Sequence, residues 1–309
     1  MNSQNLISRK NLIFATVTTF GILAALITIG MLTPLVVQLF SDMQIGMDAT
    51  YFNNRTGPIA GLLVILLCAC LLVTYISGRY IGVLLGSIIL FSALMAVLSP
   101  AGNMLVDISI IPMLAVFAAS LYRLVHVMRK RTGKSRLKGI GAHVIHIGIL
   151  LVIFGTIFSS AMKVEDSAVV SIGEETSFEG IPYSVSVMGM ASNFEGTPYD
   201  NYPGSSYATN VGLVISKNGN EFDRGTVRYI TDIKWRQTYT STYIDRGIME
   251  EVFIAPKALD EKSGEVDLYV RVVPFISFLW AGIYIMLGGM FILLLGSTVL
   301  PDSENEVVT

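Results

Sequence analysis

RLVHVMRKRTGKSRLKGIGAHVIHIGILLVIFGTIFSS, residues 123–160, is the stretch from which the rest of the chain can be read. It holds seven basic side chains (Arg123, Arg129, Lys130, Arg131, Lys134, Arg136, Lys138) with no acid among them, and they run straight into the apolar segment 139–160. At about 1.5 Å rise per residue that segment spans about 33 Å, enough to cross a hydrocarbon core of about 30 Å. Loops rich in Lys and Arg stay on the cytoplasmic side. The pattern therefore predicts a membrane helix that leaves the cytoplasm and emerges at Ser159 and Ser160.

Two imidazoles interrupt this helix. His146 lies seven residues past Gly139, about 10 Å along the axis, and His143 precedes it by three residues on nearly the same face. An ionisable group at that depth is costly without a partner and marks a functional candidate. One reading is a hydrogen bond to a neighbouring helix. The other is an axial ligand for haem or another metal, since neutral imidazole is a common metal ligand. Spacing does not choose between them.

Composition sets the class. Hydrophobic residues make up 52% of the 309 and charged residues 14%, against a usual quarter or so. With a mean hydropathy of +0.63, this is the profile of an integral membrane protein. Cys68 and Cys70 sit two apart in an apolar run; such residues point to different sides of a helix, and two thiols do not complete a tetrahedral metal site, so they read as buried structural cysteines.

Hydropathy places further spans at 12–40, 59–76, 80–98 and 105–127, with Pro112 kinking the last. Arg9 and Lys10 put the N-terminus inside. Gly57-Pro58 reads as the start of the second span, which leaves 41–57 as an external loop. That loop holds Asn54-Arg55-Thr56, a glycosylation sequon of a kind that recurs by chance. His126, beside Arg123 and Arg129, reads as an interfacial polar contact. Residues 1–161 thus form a five-helix membrane unit. A final span at 275–300, within residues 272–309, returns the chain to a short acidic cytoplasmic tail.

Residues 162–271 differ in kind. Long apolar runs give way to short alternating segments rich in Val, Ile, Tyr and Thr, which predict an extracytoplasmic all-β domain. Strands are expected at 168–172, 182–188, 211–216, 226–231 and 267–272, with Lys217-Asn218-Gly219-Asn220 as a hairpin turn. Residues 193–206 read as a mobile loop whose Phe194, Tyr199 and Tyr202 either meet a partner or pack on one another. About 17 acids face about 10 bases in this domain, which argues against nucleic acid or anionic lipid as its partner. It contains no His and no Cys, so it holds no conventional catalytic triad. The fold class is an α-helical membrane bundle of six transmembrane helices with an inserted all-β domain.

Four separated patches carry a family resemblance. They are Thr33-Pro34-Leu35 with Gln44-Ile45-Gly46 and Tyr51-Phe52-Asn53; His146-Ile147-Gly148 through Gly155, Phe158 and Ser159 into Val169, Val170 and Gly173; residues 239–247 with Ile244-Asp245; and Val270-Arg271, Pro274-Phe275 and Trp280-Ala281-Gly282 through Gly288-Gly289. In this order the chain resembles the C-terminal part of the CcmF/NrfE family of cytochrome c haem lyases. The resemblance implies a role in cytochrome c biogenesis, with haem as a substrate attached covalently to a C-x-x-C-H apocytochrome c outside the membrane. It also implies a permanent haem b in the bundle whose iron is held by His146, with His143 as an alternative ligand or a supporting group.

The family's tryptophan-rich WWD segment, its two external haem-ligating His and its second membrane His have no counterpart here. Only Trp235, Trp280, His126, His143 and His146 occur. The resemblance therefore implies one subunit of a split enzyme, inactive alone and sharing its haem b with an N-terminal CcmF-like subunit. Apocytochrome c or its chaperone and a haem-delivery protein would be further partners, and the cytoplasmic membrane the location. A structural or assembly subunit that binds no haem is the main alternative. A transporter permease ranks behind it, because the one sizeable cytoplasmic loop is short.

Overall fold

The computed structural model describes residues 8–41, 49–73 and 75–298. Six helices are long and apolar enough to cross a membrane: α1 (Arg9–Phe40), α2 (Ala49–Leu72), α3 (Gly78–Leu98), α4 (Met104–Lys130), α5 (Gly133–Ala161) and α6 (Ile276–Thr298). Nine strands lie between α5 and α6. The protein is a multi-pass membrane protein with one inserted β domain. It divides into two compact units, residues 1–154 with 281–309, and residues 155–280.

Local chemistry moves several helix ends away from their predicted places. Pro58 lies inside α2 rather than at its start, so residues 49–57 are helical and not an external loop. Thr56 Oγ1 donates to Phe52 O at 2.9 Å, and the Arg55 guanidinium donates to Tyr51 O at 3.2 Å while lying 3.8 Å from the Tyr51 ring centre. Tyr51 and Phe52 also crowd Gly30 of α1, where an added Cβ would stand 2.7 Å from Phe52 Cε1. Packing on α1 and side-chain bonds to backbone carbonyls thus carry the helix across its proline. The side chain of Asn54, the Gln44-Ile45-Gly46 patch and the acidic tail lie outside the described residues.

The basic stretch is mostly helical as well. α4 continues to Lys130 and α5 begins at Gly133, so Arg131 and Thr132 alone separate them. At the opposite end of α4, fully buried Asp107 accepts from Ser99 Oγ and Ala101 N, both at 3.0 Å, and so fixes the turn from α3.

In the second unit, β1 (Val164–Ser171), β9 (Glu265–Pro274), β8 (Glu250–Asp260) and β7 (Tyr243–Arg246) form one antiparallel sheet in that order. The other sheet runs β2 (Glu175–Ser177), β3 (Tyr183–Glu195), β4 (Ser206–Lys217), β5 (Asn220–Asp232) and β6 (Gln237–Ser241). Alternate side chains from both sheets, among them Val185, Leu213, Val227, Ile254 and Leu268, close a single hydrophobic core. The predicted hairpin is present: Lys217 pairs with Asn220, and Asn218 and Gly219 take φ of 52° and 80°.

The predicted mobile loop is the end of a long hairpin, in which Glu195 pairs with Ser206. Tyr199 and Tyr202 exchange backbone hydrogen bonds of 3.2 and 3.0 Å, and Phe194 packs 5.0 Å from Tyr207 and 6.0 Å from Tyr202. Phe194 and Tyr202 thus pack on one another, while Tyr199 meets Tyr202 through the backbone. β8 escapes a pattern reading because it contains Pro256, which is accommodated at a bulge between Pro256 and Ala258.

Two carboxylates clasp the sheets at opposite ends of β8. Glu250 accepts from Tyr183 Oη at 2.8 Å and pairs with Lys217. Burial pushes its carboxyl up, but the Lys217 and Tyr183 hydrogen bonds outweigh burial and hold it below the ordinary glutamate value. Glu261, just beyond the strand, accepts from Ser192 at 2.5 Å, Thr209 at 2.7 Å and Tyr207 at 2.9 Å, and the Ser192 bond leads in drawing its carboxyl down.

Candidate functional site

The candidate site is built on α5, a helix with two different faces. Gly141, Gly148 and Gly155 recur every seven residues, and so do Gly282, Gly289 and Gly296 of α6. The two series meet in antiparallel order. A Cβ on Gly148 would stand 2.7 Å from Met286 N and 2.8 Å from Gly282 O, and one on Gly141 would stand 2.8 Å from Gly289 O. At Gly155, within the second unit, a Cβ would stand 2.4 Å from Leu279 N. Only hydrogen fits such contacts, so the helices touch backbone to backbone, the close approach that small residues permit in membranes. A seven-residue period keeps the seam facing its neighbour along both helices. Gly288, singled out in the sequence beside Gly289, has open space around it and takes no part.

At about 100° per residue, His143 and His146 fall on the side of α5 away from this seam. They continue a stripe that starts at Gly139, at i, i+4 and i+7. Gly139 meets α4, since its Cβ would stand 2.6 Å from Val127 Cγ1. One turn back along α4 is Arg123, whose guanidinium lies 4.3 Å from the Tyr75 ring centre. The imidazole centroids are 5.8 Å apart with planes 48° from parallel. His143 is 7% exposed and His146 is half-buried. Among the described residues neither Nδ1 has a hydrogen-bond partner. A buried polar atom left in that state costs about 1–3 kcal/mol.

His126 does not join this pair's ring contact. Its ring packs edge-on to Tyr75 at 4.9 Å and lies 6.2 Å from Tyr122. Cys68 and Cys70 are free thiols, and Cys70 Sγ lies 3.8 Å from Thr16 Oγ1. Among the described residues no group of three His, Cys, Asp or Glu side chains converges as a metal cage. The two imidazoles face away from the α6 seam.

Two cytochrome c-type biogenesis proteins CcmF are similar to this chain in sequence. The protein from Pseudomonas fluorescens is 26% identical over 294 residues, covering 90% of this chain and 42% of its own length. That from Pseudomonas aeruginosa is 26% identical over 299 residues, covering 91% and 43%. This chain resembles part of CcmF. A solved structure of the cytochrome c heme lyase CcmF has the same fold, with a TM-score of 0.72 at 18% identity over 94% of this chain and 46% of that one. The chain thus spans less than half the length of the CcmF relatives it matches. No family model matches it.

Sequence reading identified both imidazoles and their common face. It reads Gly288-Gly289 as permitting close helix approach, which holds for Gly289 and not for Gly288, and it does not reach the heptad seam to which Gly289 belongs. The seam had a signal in the two heptad series.

Proposed function

We propose that the chain is the C-terminal subunit of a split CcmF-type haem lyase in cytochrome c biogenesis, and that His146 is an axial ligand of a b-type haem shared with a second subunit. The observation that carries this reading is the pair of imidazoles on the face of α5 away from α6, with both Nδ1 atoms unpartnered. The donor set fits the group. Neutral imidazole suits haem iron, the two imidazoles stand on a predominantly apolar helix, and a single chain supplies only part of the coordination.

A ligating imidazole needs its other ring nitrogen fixed by an acceptor. Among the described residues neither Nδ1 has one. When bound, the haem would supply electron transfer toward the haem that is being attached. The chain's own residues do simpler work: His146 holds iron, His143 supports it or substitutes for it, and the glycine seam holds α5 at fixed depth and rotation. The WWD-bearing partner would present the substrate haem, and apocytochrome c or its chaperone would meet the complex on the outer face.

In this reading the basic ends of α1, α3, α4 and α5 lie in the cytoplasm, as the charge rule requires. The β domain is then extracytoplasmic, and both termini are inside. The test is a reduced-minus-oxidised spectrum of the complex that co-purifies with the chain, for wild type, His146→Ala and His143→Ala. A b-type signal lost in His146→Ala and merely shifted in His143→Ala supports the proposal. A haem-free complex from haem-replete cells makes the chain a structural subunit. A signal lost only in His143→Ala transfers the ligand role to His143.

A further inference from the structure

The first unit carries a second polar feature that the haem reading leaves unused. Around a cleft of about 330 Å³ stand Arg9 from the start of α1, Cys70 and Tyr75 from the end of α2 and the turn after it, and Arg123 and Arg131 from the end of α4. Three arginines line it, and no carboxylate is among the described residues that do. Cationic side chains grouped at a membrane surface raise the local positive potential and draw an anion toward it.

Tyr75 organises the cleft. The Arg123 guanidinium lies 4.3 Å from its ring centre, and the ring is braced edge-on by His126 at 4.9 Å and Tyr122 at 6.0 Å. Tyr75 also lines a second cleft of about 420 Å³, whose other walls include Leu72, Ile76, Leu84, Ala115 and Ala118 from α2, the turn after it, α3 and α4. One compartment is cationic, its neighbour is apolar, and a single aromatic ring borders both. A free inorganic anion has use for the first compartment only. An amphiphile with an anionic head and a hydrocarbon tail uses both.

The setting selects the amphiphile. The basic compartment lies at helix ends rich in Arg and Lys, where headgroup phosphates reside, and basic pockets between membrane helices on that side bind anionic lipid heads. Arg is suited to this because its planar fork meets phosphate oxygens in pairs. We propose that Arg9, Arg123 and Arg131 bind the phosphate of an anionic phospholipid whose acyl chain lies in the adjoining apolar cleft between α2, α3 and α4.

The proposal separates head from tail, so it can be tested at each. The full chain, delipidated in detergent, is titrated with phosphatidylglycerol, with phosphatidylcholine of the same acyl chains, and with inorganic phosphate, and adducts are counted by native mass spectrometry. Wild type is expected to hold one phosphatidylglycerol at least tenfold more tightly than phosphatidylcholine. Arg9→Gln with Arg131→Gln lowers that affinity about tenfold, and the paired Lys substitutions restore part of it. Ala118→Phe, at an exposed position in the apolar cleft, weakens lipid binding while leaving the charges in place. Equal binding of the two lipids, or indifference to the Arg substitutions, overturns the proposal. So does tight binding of inorganic phosphate without lipid, which would make the cleft a free-anion site. Loss of a co-purified haem from the Arg variants with lipid binding unchanged would also overturn it, assigning the guanidiniums to haem carboxylates.

Discussion

Val185, Leu213, Ile254 and Leu268 of the β domain are fully buried by the chain's own atoms, whereas Phe40 and Val97 of the membrane helices are 87% and 82% exposed. The two regions are both rich in apolar residues, yet they dispose of them differently. In water, apolar side chains must turn inward, and each one fully buried contributes about 1.5–3 kcal/mol. Among helices surrounded by hydrocarbon that gradient vanishes, so contact is decided by how closely backbones approach and by which polar atoms find partners. The comparison explains why the β core is built from Val, Leu and Ile while the seam between α5 and α6 is built from glycine.

The contrast can be broken in order of expected effect. Leu213→Ala removes a fully buried side chain from the β core and is expected to cost about 3–5 kcal/mol, read as lost amide protection across β3, β4 and β5 in the full chain. The same substitution at Leu90, 68% exposed on α3, is expected to cost under about 0.5 kcal/mol; an equal cost would mean that the helix surface is packed against protein. Gly148→Leu drives a side chain into the backbone of α6 and is expected to cost about 3 kcal/mol in detergent unfolding, with the His143 and His146 pair displaced along with α5.

Acid distinguishes the regions next. Glu250 and Glu261 are held below the ordinary glutamate value in the folded domain, so their contribution is complete above about pH 4.3 and is lost as pH falls through their folded values. Loosening between the two sheets is expected below about pH 4, before the helices change, and Glu261→Gln is expected to flatten that dependence. Gly288→Ala, in open space one residue from the seam, is expected to leave stability within about 0.5 kcal/mol of wild type.

The same difference governs what the sequence revealed. Alternation exposed the strands whose two faces differ, such as β4, where Val211, Leu213 and Ile215 point inward. It could not expose β6, whose residues are all solvent-facing, nor β8, where a bulge around Pro256 interrupts the period. Hydropathy found six spans because length and composition suffice for that. It misplaced the start of α2, since Tyr51, Phe52 and Arg55 extend that helix through contacts that no local pattern records. At the candidate site, an imidazole in an apolar run was visible at once. The unpartnered state of its Nδ1 depends on which helix lies alongside, and a single sequence does not encode that locally.

The seam between α5 and α6 also has a history in time. Its halves lie on opposite sides of the β insertion, with residues 162–275 between the end of one helix and the start of the other. At about 5–20 residues per second, a ribosome needs on the order of ten seconds to pass from one helix to the other. Throughout that interval the glycine face of α5 waits in the membrane, bare and able to accept any helix with a matching row of small residues. A helix that docked early would trap the nascent chain, and one held back until α6 arrives would let the final span close the structure like a latch.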